Sequence, residues 1–375
     1  MKAFRICILF LLLQLFWPIL ALASDERLIL KAKINGETIR LAFDTGSPAP
    51  LIIFSPAAKR LSLKTEERNG RKIAFFSMEI ESQPIDNAQA LIIDFLPFPD
   101  IDGVVGWPAL LGKVWRVRWE DMSLSLMPSI PKEIFSWQSL KLHTQVQVAT
   151  ALLLENSDAL VFLDTGQSGG VALSESRWNK WVQENPSRTM TIKSGYMPGV
   201  GGFFWTELTW ANSFKLGPLE FACAVIERNV IKLPKFEAVL GIEALKHFEI
   251  LFDRVSDRIY LKKRPYSSEK FPHNRLGATF LPSSLESDSL VGTVLINSPA
   301  YKAGLRSGDI LLKIDDTDMT QWRTDPTIWK REFWEARAGT KYIIEAERNM
   351  RKHTFTVTLE DILNIPICEG KGVKK

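Results

Sequence analysis

Two Asp-Thr-Gly turns, Asp44-Thr45-Gly46 and Asp164-Thr165-Gly166, lie 120 residues apart in the chain. Two carboxyls brought close together cannot both ionise, so such a pair keeps one proton near neutral pH. The ionised member can take a proton from water while the protonated member gives one to a carbonyl oxygen. Together these steps hydrolyse an amide without a covalent intermediate. The pair titrates as a unit, so acid and base are not assigned to one residue each. Gly46 and Gly166 permit tight turns, and Thr45 and Thr165 offer hydroxyls that could lock one turn to the other. One such triplet alone reads as a surface turn. Two with matching surroundings read as one site.

The surroundings match on both sides. Leu28 to Ile34 reads as a strand, Asn35-Gly36 as a hairpin turn, and Glu37 to Phe43 as the return strand into Asp44. Gln145 to Leu154, the turn Glu155 to Asp158 and the strand Ala159 to Leu163 repeat this before Asp164. Downstream, Gly103-Val104-Val105-Gly106 is answered by Ala238-Val239-Leu240-Gly241. A short segment and two strands follow each: Val114 to Trp119 with Ser123 to Met127, and Phe248 to Asp253 with Arg258 to Lys262. The pattern predicts two β-rich lobes of common origin, 24–130 and 131–265.

The stretch Leu28 to Lys263 resembles the pepsin and retropepsin-like aspartic peptidases, the second lobe more closely the retropepsin-like branch. The resemblance implies a mainly β, bilobal fold with Asp44 and Asp164 as catalytic aspartates and no metal or cofactor. The family usually carries Ser, Thr or Ala directly after the Gly. Ser47 fits and Gln167 departs, which bears on the usual hydrogen bond to the outer carboxylate oxygen. Pepsin-like enzymes close over substrate with a Tyr-bearing hairpin of the first lobe, but this first lobe has no Tyr. The candidate lid is therefore in lobe two, at Tyr196, Gly199, Gly201 and Gly202. An ordinary Gly-rich turn is the alternative.

Gly166-Gln167-Ser168-Gly169-Gly170 also matches the serine-hydrolase pattern G-x-S-x-G. A trypsin-like triad needs a His on a separate barrel before the Ser, and His143 is too near Ser168 for that. The elbow version needs alternating helices that the chain lacks.

A third unit, 271–362, centres on Ser298-Pro299-Ala300-Tyr301-Lys302-Ala303-Gly304, which reads as a capped one-turn helix, followed by a strand from Ile310 to Ile314. A second helix is expected from Pro326 to Ala338, then a closing hairpin. With Arg275 to Ala278, this unit resembles an α+β PDZ domain of the bacterial protease type. The resemblance implies that amides at Leu276, Gly277 and Ala278 take the carboxylate of a C-terminal peptide ligand. A purely structural cap is the alternative.

Lys2 and Arg5, the apolar run Ile6 to Leu22 and the Ala21-Leu22-Ala23 pattern read as a signal peptide over 1–23, so an exported, periplasmic or secreted protein is expected. Membrane attachment follows only if it stays uncleaved. The net charge is +4 and no basic stripe marks a nucleic-acid partner. Cys223 and Cys368 read as separate thiols, and the four histidines show no metal-ligand spacing. Residues 363–375 read as a tail. Peptide or unfolded protein is the expected substrate. A non-catalytic peptide-binding scaffold is the competing reading.

Overall fold

The computed structural model describes residues 27–363 and Ile365, apart from 81–82, 95–100, 144–147, 155–157, 198–201, 231–234, 265–271, 285–286, 326–327 and 329–330. The expected signal segment, the turn Glu155 to Ser157, Gly199, Gly201, Trp329 and most of the tail lie outside these residues.

The first Asp-Thr-Gly turn ends a hairpin. Strand β1 (Ile29–Ile34) pairs antiparallel with β2 (Glu37–Asp44) around Asn35 and Gly36. Both turn residues have positive φ, 52° and 81°, as a tight hairpin turn requires. The chain continues through β3 (Leu51–Phe54), α1 (Ser55–Arg60), and the meander β4 (Thr65–Arg68), β5 (Arg71–Ile80) and β6 (Gln83–Ile93). It then enters β7 (Gly103–Gly106), β8 (Val114–Arg118) and β9 (Ser123–Met127), and crosses by β10 (Gln138–Lys141).

The second half repeats that order. Strands β11 (Thr150–Leu152) and β12 (Leu160–Leu163) lead into Asp164, followed by β13 (Val171–Leu173) and α2 (Glu175–Glu184). The meander β14 (Met190–Met197), β15 (Gly202–Leu216) and β16 (Leu219–Arg228) comes next. The half closes with β17 (Phe236–Leu240), α3 (Ile242–Leu245), β18 (Phe248–Asp253) and β19 (Arg258–Lys263).

Pairing repeats as well as order. β2 runs parallel to β7 and β12 runs parallel to β17. β3 lies antiparallel to β7 and parallel to β6, and β13 stands likewise to β17 and β16. Strands flanked on both edges and both faces must be apolar throughout. Accordingly Leu41, Ala42 and Phe43, and Val161, Phe162 and Leu163, are all buried, each large side chain stabilising by roughly 2 kcal/mol.

The halves share one sheet and one core. β8 pairs with β18, setting Trp115 opposite Phe252. Phe252 meets Trp107 edge-on at 5.3 Å and Phe43 at 6.2 Å, so the floor under the first turn is built from both halves.

The third unit has a core of its own. Strands β20 (Ala278–Pro282), β21 (Leu290–Val294), β22 (Ile310–Ile314), β24 (Lys341–Arg348) and β25 (Arg351–Thr358) follow one another across its sheet, with β23 (Thr317–Asp318) beside β22. The one-turn helix α4 (Pro299–Lys302) is capped by Ser298 Oγ, which accepts from the Tyr301 N–H. The helix expected from Pro326 to Ala338 does not form among the described residues. A 3₁₀ turn at Phe333–Glu335 stands there instead, because Phe333 and Trp334 pack against each other, Tyr342 and Phe280 rather than along one helical face.

A contact near the end of the described chain ties this unit to the second half. Leu363 packs beside Cys223, Val225, Leu208 and Trp210. Cys223 is disulfide-bonded, which corrects the reading of it as a free buried thiol.

Candidate active site

The two turns interlock across an approximate twofold axis. The Thr45 N–H donates to Thr165 Oγ1 at 3.0 Å, and the Thr165 N–H donates to Thr45 Oγ1 at 2.9 Å. Each hydroxyl then donates onward across the axis, Thr45 to the Leu163 carbonyl and Thr165 to the Phe43 carbonyl at 2.8 Å. Every polar group of the two threonines' exchange is therefore paired inside the core, which makes the arrangement rigid.

This exchange brings the carboxyls face to face. A Cβ placed at Gly46 would lie 2.7 Å from Asp164 Oδ1, and one at Gly166 would lie 2.6 Å from the Asp44 carboxyl. Only glycine allows each turn to come so near the opposing acid. Within each turn, the Gly46 N–H donates to Asp44 Oδ1 at 2.8 Å and the Gly166 N–H to Asp164 Oδ1 at 3.0 Å. Each Oδ2 is left to the opposing carboxyl.

The electrostatics follow from burial. Neither Asp44 nor Asp164 is exposed to solvent. Burial pushes Asp44 up from its ordinary value to about 7, against the opposing pull of the Gly46 amide. Asp164 is pushed well above the ordinary carboxylate range by burial and then by the charge of Asp44. The pair thus holds a proton at neutral pH.

The glycine strands support both turns alike. The Gly106 N–H donates to the Pro50 carbonyl and the Trp107 N–H to the Ser47 carbonyl. In the second half the Gly241 N–H donates to Gly170 and the Ile242 N–H to Gln167. Ser47 and Gln167 occupy equivalent places, and their amides approach the two carboxyls alike. The Ser47 hydroxyl donates to the Ala49 carbonyl, not to Asp44. The asymmetry expected from Gln167 is therefore absent from these contacts.

Tyr196 and Gly202 belong to the facing ends of β14 and β15, Tyr196 opposite Phe203 and Met197 opposite Gly202. This hairpin faces the third unit. Phe203 meets Trp322 edge-on at 6.0 Å, and Thr191 Oγ1 donates to the Asn274 carbonyl at 2.6 Å.

Behind the second turn stands a residue pair that sequence reasoning missed. Glu227 is buried, accepts from the Gly170 N–H at 2.9 Å and pairs with Lys193 Nζ at 2.6 Å. Its signal was an acidic residue set directly after the apolar run Phe221 to Ile226. Ser168 makes no hydrogen bond to a histidine among the described residues. His247 packs edge-on at 5.5 Å from Phe221, and burial lowers its pKa to about 3. A serine triad is not assembled. Among the described residues no group of three or more His, Cys, Asp or Glu is placed to hold a metal ion.

In the third unit, Ala278 opens the edge strand β20, while Leu276 and Gly277 precede it. The Leu276 and Gly277 N–H groups both donate to Asn274 Oδ1, at 3.0 and 2.9 Å. Of the three donors expected to face a ligand carboxylate, Leu276 and Gly277 thus already bond to Asn274. Between this unit and the second half lies a cleft of about 230 Å³. Its walls run from Gln167, Ser168 and Gly169 to Phe280, Trp322 and Trp334. The carboxyls of Asp44 and Asp164 do not line it.

Comparison with known proteins matches one segment: residues 290–327 fit the PDZ domain family. No curated protein matches the chain. The matched segment runs from β21 through α4 to the Trp322 turn, at the centre of the third unit, and this mainly β chain therefore carries a PDZ domain.

Proposed function

We propose that the chain is an exported aspartic endopeptidase with a pepsin- or retropepsin-like pair of lobes and an appended PDZ domain. The observation that carries the proposal is the interlocked pair of Asp-Thr-Gly turns, with each glycine set against the opposing carboxyl. The singly protonated pair would take a proton from water as its oxygen attacks the scissile carbonyl carbon. It would give its other proton to the carbonyl oxygen. Collapse of the resulting diol then breaks the C–N bond: a diol hydroxyl returns its proton to the pair, and the amine leaves with the proton that the pair held. Unfolded protein or extended peptide is the substrate class, because only an extended chain can lay one amide against both turns.

A second reading, a peptide-binding scaffold without turnover, is favoured by one feature: both carboxyls are fully buried here. Turnover demands that the cover move, and the β14–β15 hairpin is the candidate lid.

The test is to incubate the purified protein with an unfolded substrate from about pH 3 to 8, with and without an aspartic-peptidase inhibitor, alongside Asp44→Asn. Cleavage that the inhibitor blocks and Asp44→Asn abolishes supports the proposal. Cleavage that survives Asp44→Asn sinks it. Peptide binding without cleavage at any pH favours the scaffold.

A further inference from the structure

The first half carries a pocket that neither the two turns nor the PDZ domain uses. Its volume is about 200 Å³. Leu30, Phe43, Met78, Leu110, Trp115 and Leu124 form its buried walls. Pro50 and Gln89 also line it and are exposed, so the pocket reaches the surface. Protein interiors leave few voids larger than one water. An apolar cavity of about 150 Å³ takes a benzene ring, and on that scale this pocket has room for a body of about eight carbons.

The β6 strand is bent in a way that leaves this room. Phe76 pairs with Ala88 and Met78 with Ile85, so Asp86 and Asn87 together stand opposite Ser77. That is a bulge, and Asn87 turns it with a φ of 55°. Ile85 and Ala88 are three residues apart and would face opposite sides of a regular strand. The extra residue sets both on the pocket. Ala88 and Ala109 present only methyl groups there, where larger apolar side chains would fill the space.

The polar side chains of the wall are Gln89, Lys113 and Trp115. Trp115 is 3% exposed, and its Nε1–H has no hydrogen-bond partner. A buried donor without an acceptor is costly. Lys113 lies two residues before Trp115 and lines the same pocket, as the alternation of a strand allows. Among the described residues Lys113 forms no ion pair, and no Asp or Glu lines the pocket. Lys113 and Trp115 can only donate. Two donors, one of them a cation, match a head group that is an anion and only accepts.

We propose that this pocket binds a small monocarboxylate with an apolar body of about eight carbons, Lys113 pairing with the carboxylate and Trp115 Nε1–H donating to it. The bound molecule lies against Phe43 and Val105, the chain neighbours of Asp44 and Gly106. The site does not rest on the peptidase reading.

The test is isothermal titration calorimetry on the full chain. The probes are octanoate, 4-methylbenzoate and 1-octanol, which share a carbon count and differ in body or head. Octanoate or 4-methylbenzoate should bind at one site, and the tighter of the two identifies the body as chain or ring. 1-Octanol should bind about tenfold more weakly than octanoate. Lys113→Met should remove that difference. Ala88→Phe should abolish binding of all three by filling the pocket. Saturable binding of neither acid by protein shown folded by circular dichroism would overturn the proposal. So would equal binding of 1-octanol and octanoate, an octanoate affinity that Lys113→Met leaves unchanged, or one that survives in folded Ala88→Phe. If Ala88→Phe does not fold, the Lys113→Met comparison decides alone. Binding is read without turnover, so neither outcome bears on the peptidase reading.

Discussion

Replacing Asp44 with Asn should flatten the pH dependence of stability. Asp44 is fully buried, and burial raises its pKa from 3.8 to about 7. The unfolded chain loses this proton near its ordinary value, while the folded protein keeps it to about 7. Between these limits the native state binds the extra proton. Its contribution is fully present below about pH 4 and is lost as pH rises through about 7. One pKa unit corresponds to about 1.4 kcal/mol, so ionising Asp44 in place costs on the order of 4 kcal/mol at about pH 8. Asn has the same shape and no charge. The variant should therefore gain a few kcal/mol over the native protein above about pH 7, and lose that advantage near pH 4. The charge of Asp44 also helps raise Asp164, so removing it lowers the slope further. Urea unfolding followed by tryptophan fluorescence, repeated at half-unit pH steps, gives both curves. Glu335, also raised to about 7, is present in both proteins and cancels in the difference. Parallel curves between about pH 4 and 8 would refute the reasoning, because they would mean that Asp44 is hydrated or ionised in the native state.

Gly166→Ala should abolish cleavage and destabilise the fold, since its Cβ would lie 2.6 Å from the Asp44 carboxyl; activity and urea unfolding check both. Thr165→Val keeps the shape but strands the Phe43 carbonyl and the Thr45 N–H, and should cost about 2–4 kcal/mol in urea unfolding. Arg348→Met leaves the buried Asp309 without the guanidinium that now holds both its oxygens, and should destabilise the PDZ domain by about 3–5 kcal/mol in thermal or urea unfolding. The acid limb of a kcat/KM profile should lie near 7 rather than in the ordinary carboxylate range, because the ionised form of the pair must accept the water's proton.

The two Asp-Thr-Gly turns were legible in the sequence because their geometry is local. A strand must end at each Asp, and the residue after Thr must be Gly where the other turn's carboxyl approaches. The hairpin turn at Asn35-Gly36 and the cap at Ser298 were legible for the same reason. Other features depend on partners far along the chain. Glu227 and Lys193 meet across the meander, and neither residue announces the other. Asn274 serves Leu276 and Gly277 nearby, but its grip on Thr191 spans from one unit to the next. The region from Pro326 to Ala338 carried a local helix signal that lost to aromatic packing: Phe333, Trp334, Tyr342 and Phe280 gather around a 3₁₀ turn. The positive φ of Cys223, 60° within β16, likewise has no sequence signature.

The threonine exchange has a consequence for descent. Residue 45 gives to 165 what 165 gives to 45, which is the reciprocity of a self-complementary dimer interface. A single ancestral half could have built this contact by meeting its own copy. Joining two copies in one polypeptide released each from having to match itself. Among the described residues the PDZ domain packs against the second copy's β14–β15 hairpin. The central contact stayed symmetric while the periphery was free to specialise.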